Sequence, residues 1–365
     1  MMESGKMNLF LCKTPMQILR AIQLTYYKEE FKCSDMCIFR TFDGVDDLSI
    51  RLRKLNLFEG VYIFDNNFKN VKGGYFANYY GNNAFIEFIK RHRYASISMF
   101  NSDTYDAFIA YNLLRKKNEV NVYYIEDAPM IYAYPLPSPK NVLIGRLLRL
   151  KFPIYEVSKW YFSVPEKMKK TNKSIAIKLT PLDRKDKKFV DLVNFVFNYT
   201  EDQLLNTTDI FIMEECFYTD KIIKDNSDYF LYKTIKEKYP NLQFAVKLHP
   251  RTKVNRFSNE FKCIEKSTIP WEVYLLNKNM KDTIFISLSC STALSPKILF
   301  DDEYRCMLCY RLLRDRAIRA DGHLYYTDEW EKLLANITEL YNQKNNIAIP
   351  NDEVEMFNIL DEWIN

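Results

Sequence analysis

Glycine is scarce in this chain, with eight residues in 365. None of them builds a G-x-G-x-x-G or a G-x-x-x-x-G-K-[ST] pattern, so the dinucleotide and P-loop fingerprints are missing. No window of about 18 apolar residues occurs, which excludes a helical membrane span. The apolar run from Met7 to Cys12 is too short for a secretory signal, and polar residues follow it. The eight cysteines include Cys33-x-x-x-Cys37 and Cys306-x-x-Cys309, but no second pair or histidine completes a metal site. No Asp-x-Asp follows a strand-like run either. Buried free thiols, a reducing compartment, a cytoplasmic location and no bound metal or other cofactor are therefore expected. Histidine is scarcer still: only His92, His249 and His323.

What the chain has is apolar and aromatic bulk. The apolar share is 47%, and 26 Tyr with 26 Phe describe dense cores rather than disorder. A net charge of +5, spread among both signs, leaves no electrostatic footprint for nucleic acid. At 365 residues two domains are the natural count.

Strand-like and helix-like runs alternate. Strands are expected at residues 8–12, 36–39, 60–64, 107–111 and 120–125, with helices at 16–30, 49–57 and 85–93. Thr14 reads as the N-cap of the first helix, with Pro15 at its first position. Prolines at 129, 135, 137, 139 and 153 then break the pattern around a basic amphipathic segment, 142–152. A lysine-rich stretch, 167–188, reads as a linker. Strands follow at 209–213, 243–248, 283–287 and 304–308, and helices at 189–199, 229–239, 271–276, 292–300, 327–344 and 353–363. Short connections between alternating elements mean parallel, doubly wound sheets. The expected architecture is α/β, with two Rossmann-like domains, residues 1–188 and 189–365, facing a central cleft.

Four motifs sit where strands are expected to end, which is where ligands bind in open α/β sheets. Lys247-Leu248-His249-Pro250-Arg251 closes an apolar run. Pro250 stops the strand, so His249 leaves the sheet between two cations, a setting suited to a phosphate leaving group. A histidine that only ends a strand has the same signature. Glu126-Asp127 follows the run ending at Ile125; strand alternation sends the two carboxylates to opposite sides. A base for a displacement and a solvated acidic turn both fit. Ser287, Ser289, Ser291 and Thr292 bring hydroxyls to a strand-to-helix junction, as an anion site or as N-caps. Pro270-Trp271-Glu272 opens a short helix, where Glu272 suits ribose hydroxyls or the helix dipole.

Together, Glu126-Asp127-Ala128, Lys247-Leu248-His249-Pro250, Pro270-Trp271-Glu272 and Ser289-Cys290-Ser291-Thr292-Ala293 resemble the bacterial sialyltransferases, most closely glycosyltransferase family 52, which includes lipooligosaccharide and capsule enzymes. Cys12-Lys13-Thr14-Pro15-Met16-Gln17 is similar to that family's opening segment, and the resemblance runs from about residue 7 to 345. It implies a GT-B fold, an acceptor-side first domain, a nucleotide-sugar-binding second domain, and inverting, metal-independent transfer from CMP-sialic acid to a galactoside. Asp127 would deprotonate the acceptor, and His249 would protonate or stabilise the departing CMP phosphate. Ser291 and Thr292 would hold that phosphate, Lys247 and Arg251 would neutralise it, and Ser289 and Pro250 would line the substrate site. Glu272 would take the ribose hydroxyls, with Pro270 near the base, while Thr14, Gln17 and Glu126 would line the substrate site.

One residue departs from the pattern. The family's acidic motif ends in glycine, and here it ends in Ala128, which opens the alternative that Asp220 is the base. Another nucleotide-sugar enzyme (a hexosyltransferase or an epimerase) and an inactive glycan- or nucleotide-binding relative remain alternatives. The partners expected are a nucleotide sugar and a glycan acceptor, lipid-linked in the family, together with a second copy of the chain in a homodimer. The basic leucine-rich segment 142–152 fits a peripheral contact with the inner face of an anionic membrane, or a helix with its leucines in the core.

Overall fold

β1 (Asn8–Cys12) is buried along its whole length, as a strand covered on both faces must be. The computed structural model, which describes residues 7–69, 74–101, 104–127, 137–165, 174–264 and 269–365, sets it inside a seven-stranded parallel sheet. The other strands are β2 (Ser34–Arg40), β3 (Gly60–Asp65), β4 (Ser96–Met99), β5 (Asn121–Ile125), β6 (Val157–Phe162) and β7 (Ile175–Lys178), in the order β3-β2-β1-β4-β5-β6-β7. Connecting segments supply α1 (Pro15–Tyr27), α2 (Val45–Lys54), α3 (Gly74–Tyr79), α4 (Ala84–Arg91), α5 (Tyr105–Leu114), α6 (Pro139–Leu147) and α7 (Lys187–Phe197). Buried Asn8 ties the middle of the sheet: its Oδ1 accepts from Ser96 and Ser98 hydroxyls at 2.9 Å each.

The second unit repeats the plan. After α8 (Leu204–Thr207) come β8 (Ile210–Met213), α9 (Ser227–Lys238), β9 (Phe244–Lys247), β10 (Lys262–Ile264), α10 (Trp271–Asn277), β11 (Ile284–Ser287), α11 (Ser295–Phe300), β12 (Arg305–Leu308), α12 (Asp328–Thr338), β13 (Ile347–Ala348) and α13 (Glu353–Ile364). The six strands order as β10-β9-β8-β11-β12-β13, all parallel. Both sheets therefore reverse strand order beside their first strand, between β1 and β4 and between β8 and β11. Ligands settle outside the carboxyl ends of the strands at such reversals.

Several elements differ from expectation. Residues 107–111 are helical, inside α5, and the strand beside β1 is β4. An apolar run buried on nearly every side reads alike as a core helix or a parallel strand. β7 lies in the stretch expected to be a linker, and β6 in the interval between the proline break and that linker, where no element was expected. The segment 292–300 is a 3₁₀ turn (Ser291–Leu294) followed by the short α11.

The units divide between Tyr199 and Thr200, not at residue 188. Helix α7 decides this. Phe189 packs on Tyr26 and Tyr27 of α1, with ring centroids 5.3 and 5.2 Å away. The Tyr27 hydroxyl donates to Asp186 at 2.8 Å, and Arg51 Nε to the Val196 carbonyl at 2.7 Å. Those bonds hold the helix to the first unit, whatever the composition around it.

Candidate active site

In the first unit the carboxyl ends of β1 and β5 converge. Thr14 caps α1, accepting from Gln17 N at 3.2 Å, with Pro15 in the first turn as the sequence requires. That cap aims the Gln17 side chain back over the strand ends. Its Oε1 accepts from Lys13 N at 2.6 Å, and its Nε2 donates to Asp127 Oδ2 at 2.7 Å. Thr14, Gln17 and Asp127 are thus one connected group. Burial raises the Asp127 carboxyl from an ordinary 3.8 to about 6, and the neighbouring Glu126 adds to the rise while the Gln17 amide opposes it. A carboxyl poised there is a serviceable base near neutral pH.

Glu126 points the other way and is fully buried. Its Oε2 accepts from Ser163 N at 2.7 Å and lies 3.6 Å from Arg20 Nη2. Arg20, itself fully buried, also donates to the Glu126 carbonyl at 3.1 Å and to Gln23 Oε1 at 2.7 Å. Glu126 therefore braces the β5 exit instead of lining a substrate site. Arg20→Ala should leave that buried carboxylate without its cation and cost about 3–5 kcal/mol of stability. Urea unfolding measures this; an unchanged midpoint would rule out the brace. Ala128 lies outside the described residues.

In the second unit β8, β9 and β11 end side by side. Glu214, directly after β8, is buried and accepts from His249 N at 2.9 Å and from the Thr252 hydroxyl at 2.6 Å. It pins both ends of the His-Pro turn. Within the turn Arg251 N donates to His249 Nδ1 at 3.1 Å. With Nδ1 accepting, neutral His249 carries its proton on Nε2, the atom left to face a ligand. Burial, helped by the Arg251 and Lys247 charges, lowers this imidazole from 6.5 to about 4, while Asp220 opposes the shift. His249 is thus a neutral hydrogen-bond donor at physiological pH rather than an imidazolium.

Asp220 belongs to the same group. Its Oδ2 lies 3.1 Å from Arg251 Nη2 and accepts from Cys216 Sγ at 3.1 Å. Arg251 Nη2 also reaches Cys216 Sγ at 2.8 Å. Lys247 is buried and donates to the Leu248 carbonyl at 3.0 Å; burial lowers its pKa, with Glu272 and Cys290 pulling the other way. Pro250 is exposed and keeps the turn open on its outer side. Glu272, in the first turn of α10 after Pro270, is held by the Ser295 hydroxyl at 2.9 Å.

The hydroxyl-rich junction is arranged differently from expectation. Ser287 Oγ accepts from Cys290 N at 3.2 Å, and Ser289 Oγ bonds Tyr326 OH at 2.9 Å. The Leu288 and Ser289 amides are taken by Glu215, which raises no anion site there; the Leu288 contact is 3.4 Å. Ser291 and Thr292, in the 3₁₀ turn, keep partly exposed side chains and are the hydroxyls best placed for a ligand. Burial raises Glu215 from 4.5 to about 8, against those two amide bonds. Glu214 and Glu215 were missed in the sequence, although they follow an apolar run just as Glu126 and Asp127 do. Among the described residues no group of three or more His, Cys, Asp or Glu is gathered as for a metal, and all eight cysteines are free.

No family model matches the sequence, and no curated protein matches it. Solved structures match the fold over nearly the whole chain. UDP-GlcNAc 2-epimerase of Methanocaldococcus jannaschii, solved with UDP-GlcNAc and UDP, is 14% identical with a TM-score of 0.53, over 98% of this chain and 93% of that one. Arabidopsis thaliana UGT89C1, complexed with quercetin, is 10% identical with a TM-score of 0.50, over 98% and 90%. Another UDP-N-acetylglucosamine 2-epimerase is 10% identical with a TM-score of 0.50, over 99% and 88%.

The chain has the GT-B fold. Each GT-B unit carries its titratable groups at one sheet edge: Asp127 on Gln17 in the first, and His249 with Asp220 and Arg251 in the second. No helix among the described residues is long and apolar enough to cross a membrane.

Proposed function

We propose that this GT-B chain is an inverting, metal-independent sialyltransferase that moves sialic acid from CMP-sialic acid to a galactoside of a bacterial surface glycan, lipooligosaccharide or capsule. The observation that carries the reading is His249. It stands at the exit of β9 with Nδ1 engaged by Arg251 N and Nε2 left to donate, beside Lys247 and Arg251. The wider motif set and its spacing favour the sialyl donor over other nucleotide sugars. At the coarser level, the likeness to a protein solved with UDP-GlcNAc and UDP supports a nucleotide-sugar enzyme.

The reaction is a single displacement at the anomeric carbon. Asp127 takes the proton of the acceptor hydroxyl, and that oxygen forms the new bond to the anomeric carbon. The bond from that carbon to the CMP phosphate oxygen breaks, and CMP leaves with the electron pair. His249 Nε2–H hydrogen-bonds the developing phosphate charge, with Lys247, Arg251, Ser291 and Thr292 around it. Glu272, already held by Ser295, receives the ribose hydroxyls.

A second reading of the base rests on a specific contact. Asp220 shares Arg251 and Cys216 with the His249 turn, inside one unit. An Asp220 base would act from the donor side of the fold.

Incubation with CMP-sialic acid and a panel of galactosides, read by mass spectrometry, tests the function. A sialylated product is expected; binding of UDP in preference to CMP would instead favour a hexosyltransferase or an epimerase. Transfer should also survive EDTA, because Lys247 and Arg251 supply the positive charge at the leaving phosphate. Strict dependence on added Mg²⁺ or Mn²⁺ would contradict that part of the scheme.

A further inference from the structure

Helix α6 shows the wrong side to water. Its N-cap, Ser138, accepts from Asn141 N at 3.3 Å. Val142 and Ile144 pack against the first unit's core, and Gly145 is buried. The chain then turns back sharply: Arg149 has φ 56°, and Leu150 N donates to the Gly145 carbonyl at 2.8 Å. A Cβ at Gly145 would lie 3.0 Å from the Leu150 carbonyl oxygen, a tight contact that a larger residue could take only if the turn gave way by a few tenths of an ångström. Leu150 and Phe152 are buried and anchor the return.

The outer face is left apolar. Leu143 is 59% exposed, Leu147 77% and Leu148 40%. Leu143 and Leu147 stand one turn apart on the same side of the helix. Lys140, Arg146 and Arg149 are exposed around them. From Pro139 to Phe152 the sequence has four cations and no carboxylate. One of the four, Lys151, is paired with Glu156 at 3.0 Å. Arg115 donates to the Arg149 carbonyl and adds another guanidinium beside the turn.

Exposed leucines ringed by cations, of which Lys140, Arg146 and Arg149 have no ion-pair partner among the described residues, match a bilayer interface: apolar side chains enter the acyl boundary while basic heads stay at the phosphates. A stable protein interface buries about 800 Å² on each partner, which a three-leucine patch does not provide. We propose that α6 docks the chain on an anionic lipid surface, with Leu143, Leu147 and Leu148 inserted and Lys140, Arg146 and Arg149 on the headgroup phosphates. The assignment is independent of the donor and acceptor proposed above.

The test is co-sedimentation of the full chain with vesicles of phosphatidylcholine alone or mixed with phosphatidylglycerol. Pelleting with the mixed vesicles, weakened by added NaCl, is expected, with about tenfold less or lower binding to phosphatidylcholine alone. Leu143→Ser with Leu147→Ser should lower the partition by about tenfold or more without moving the melting temperature, because both side chains are exposed. Lys140→Gln with Arg146→Gln should lose binding to the mixed vesicles selectively, and it serves as the test should the leucine variant fail to fold. Three results would overturn the proposal: wild-type chain left in the supernatant, a folded leucine variant that pellets like wild type, or a leucine-dependent dimer that binds no vesicles.

Discussion

His249→Ala should remove most transfer, by roughly 10²–10⁴-fold, while the chain stays folded. The ring is partly exposed at the end of β9, and its turn is held independently by Glu214 through the His249 amide and the Thr252 hydroxyl, both of which the alanine variant keeps. The pH dependence separates a neutral donor from an imidazolium acid. With its pKa lowered to about 4 by burial and two neighbouring cations, His249 is uncharged across the working range. A depressed histidine disfavours protonation in the folded state. Stability should therefore fall as pH drops from 6.5 towards 4, and the alanine variant should lose that slope. Transfer within a few-fold of wild type would remove His249 from the mechanism, and an NMR titration midpoint near 6.5 would remove the neutral-donor description.

Asp127→Asn should abolish transfer and leave CMP binding intact, because the carboxylate is assigned to the acceptor and not to the nucleotide. The asparagine Oδ1 can still accept from Gln17 Nε2, so the local bond survives. Burial raises this carboxyl to about 6, so kcat/KM for the acceptor should climb as pH rises through that value. The stability sign is opposite. A raised carboxyl favours the folded state fully only below its unfolded value, 3.8, and that contribution is lost as pH rises through about 6. The asparagine variant should thus be as stable as wild type or more so at neutral pH, while inactive. Asp220→Asn should be the milder change, since Asp220 sits in a loop on an exposed arginine. If Asp220→Asn is dead with CMP binding kept, and Asp127→Asn active, the base belongs to the second unit.

Local geometry follows most directly from the sequence where the backbone has few choices. Pro15 after Thr14 and Pro250 after His249 each allow one local geometry, and both appear as expected. It follows least where burial is complete. The run at 107–111 lies within a helix because the sheet position beside β1 is filled by residues 96–99, a competition that no local pattern records. β7 was hidden by flanking lysines, since an edge strand needs little apolar sequence once a neighbour supplies the ladder, and β6, paired on both sides, was hidden by the prolines and lysines around it.

By itself the sequence determined the α/β alternation, the two-unit plan and the positions of Asp127 and His249 at strand ends, because hydrophobic period, proline and caps act within a few residues. Only the tertiary structure decided what each polar group does. Glu126 and Asp127 are neighbours in the chain, yet one is neutralised on Arg20 and the other is poised on Gln17. Glu215 closes the amides of Leu288 and Ser289, residues far away in sequence, and Arg251 joins Asp220 to the His249 turn. Burial and charge pairing are sums over residues brought together by the sheets, and they set pKa, tautomer and exposure in ways no short stretch of sequence contains.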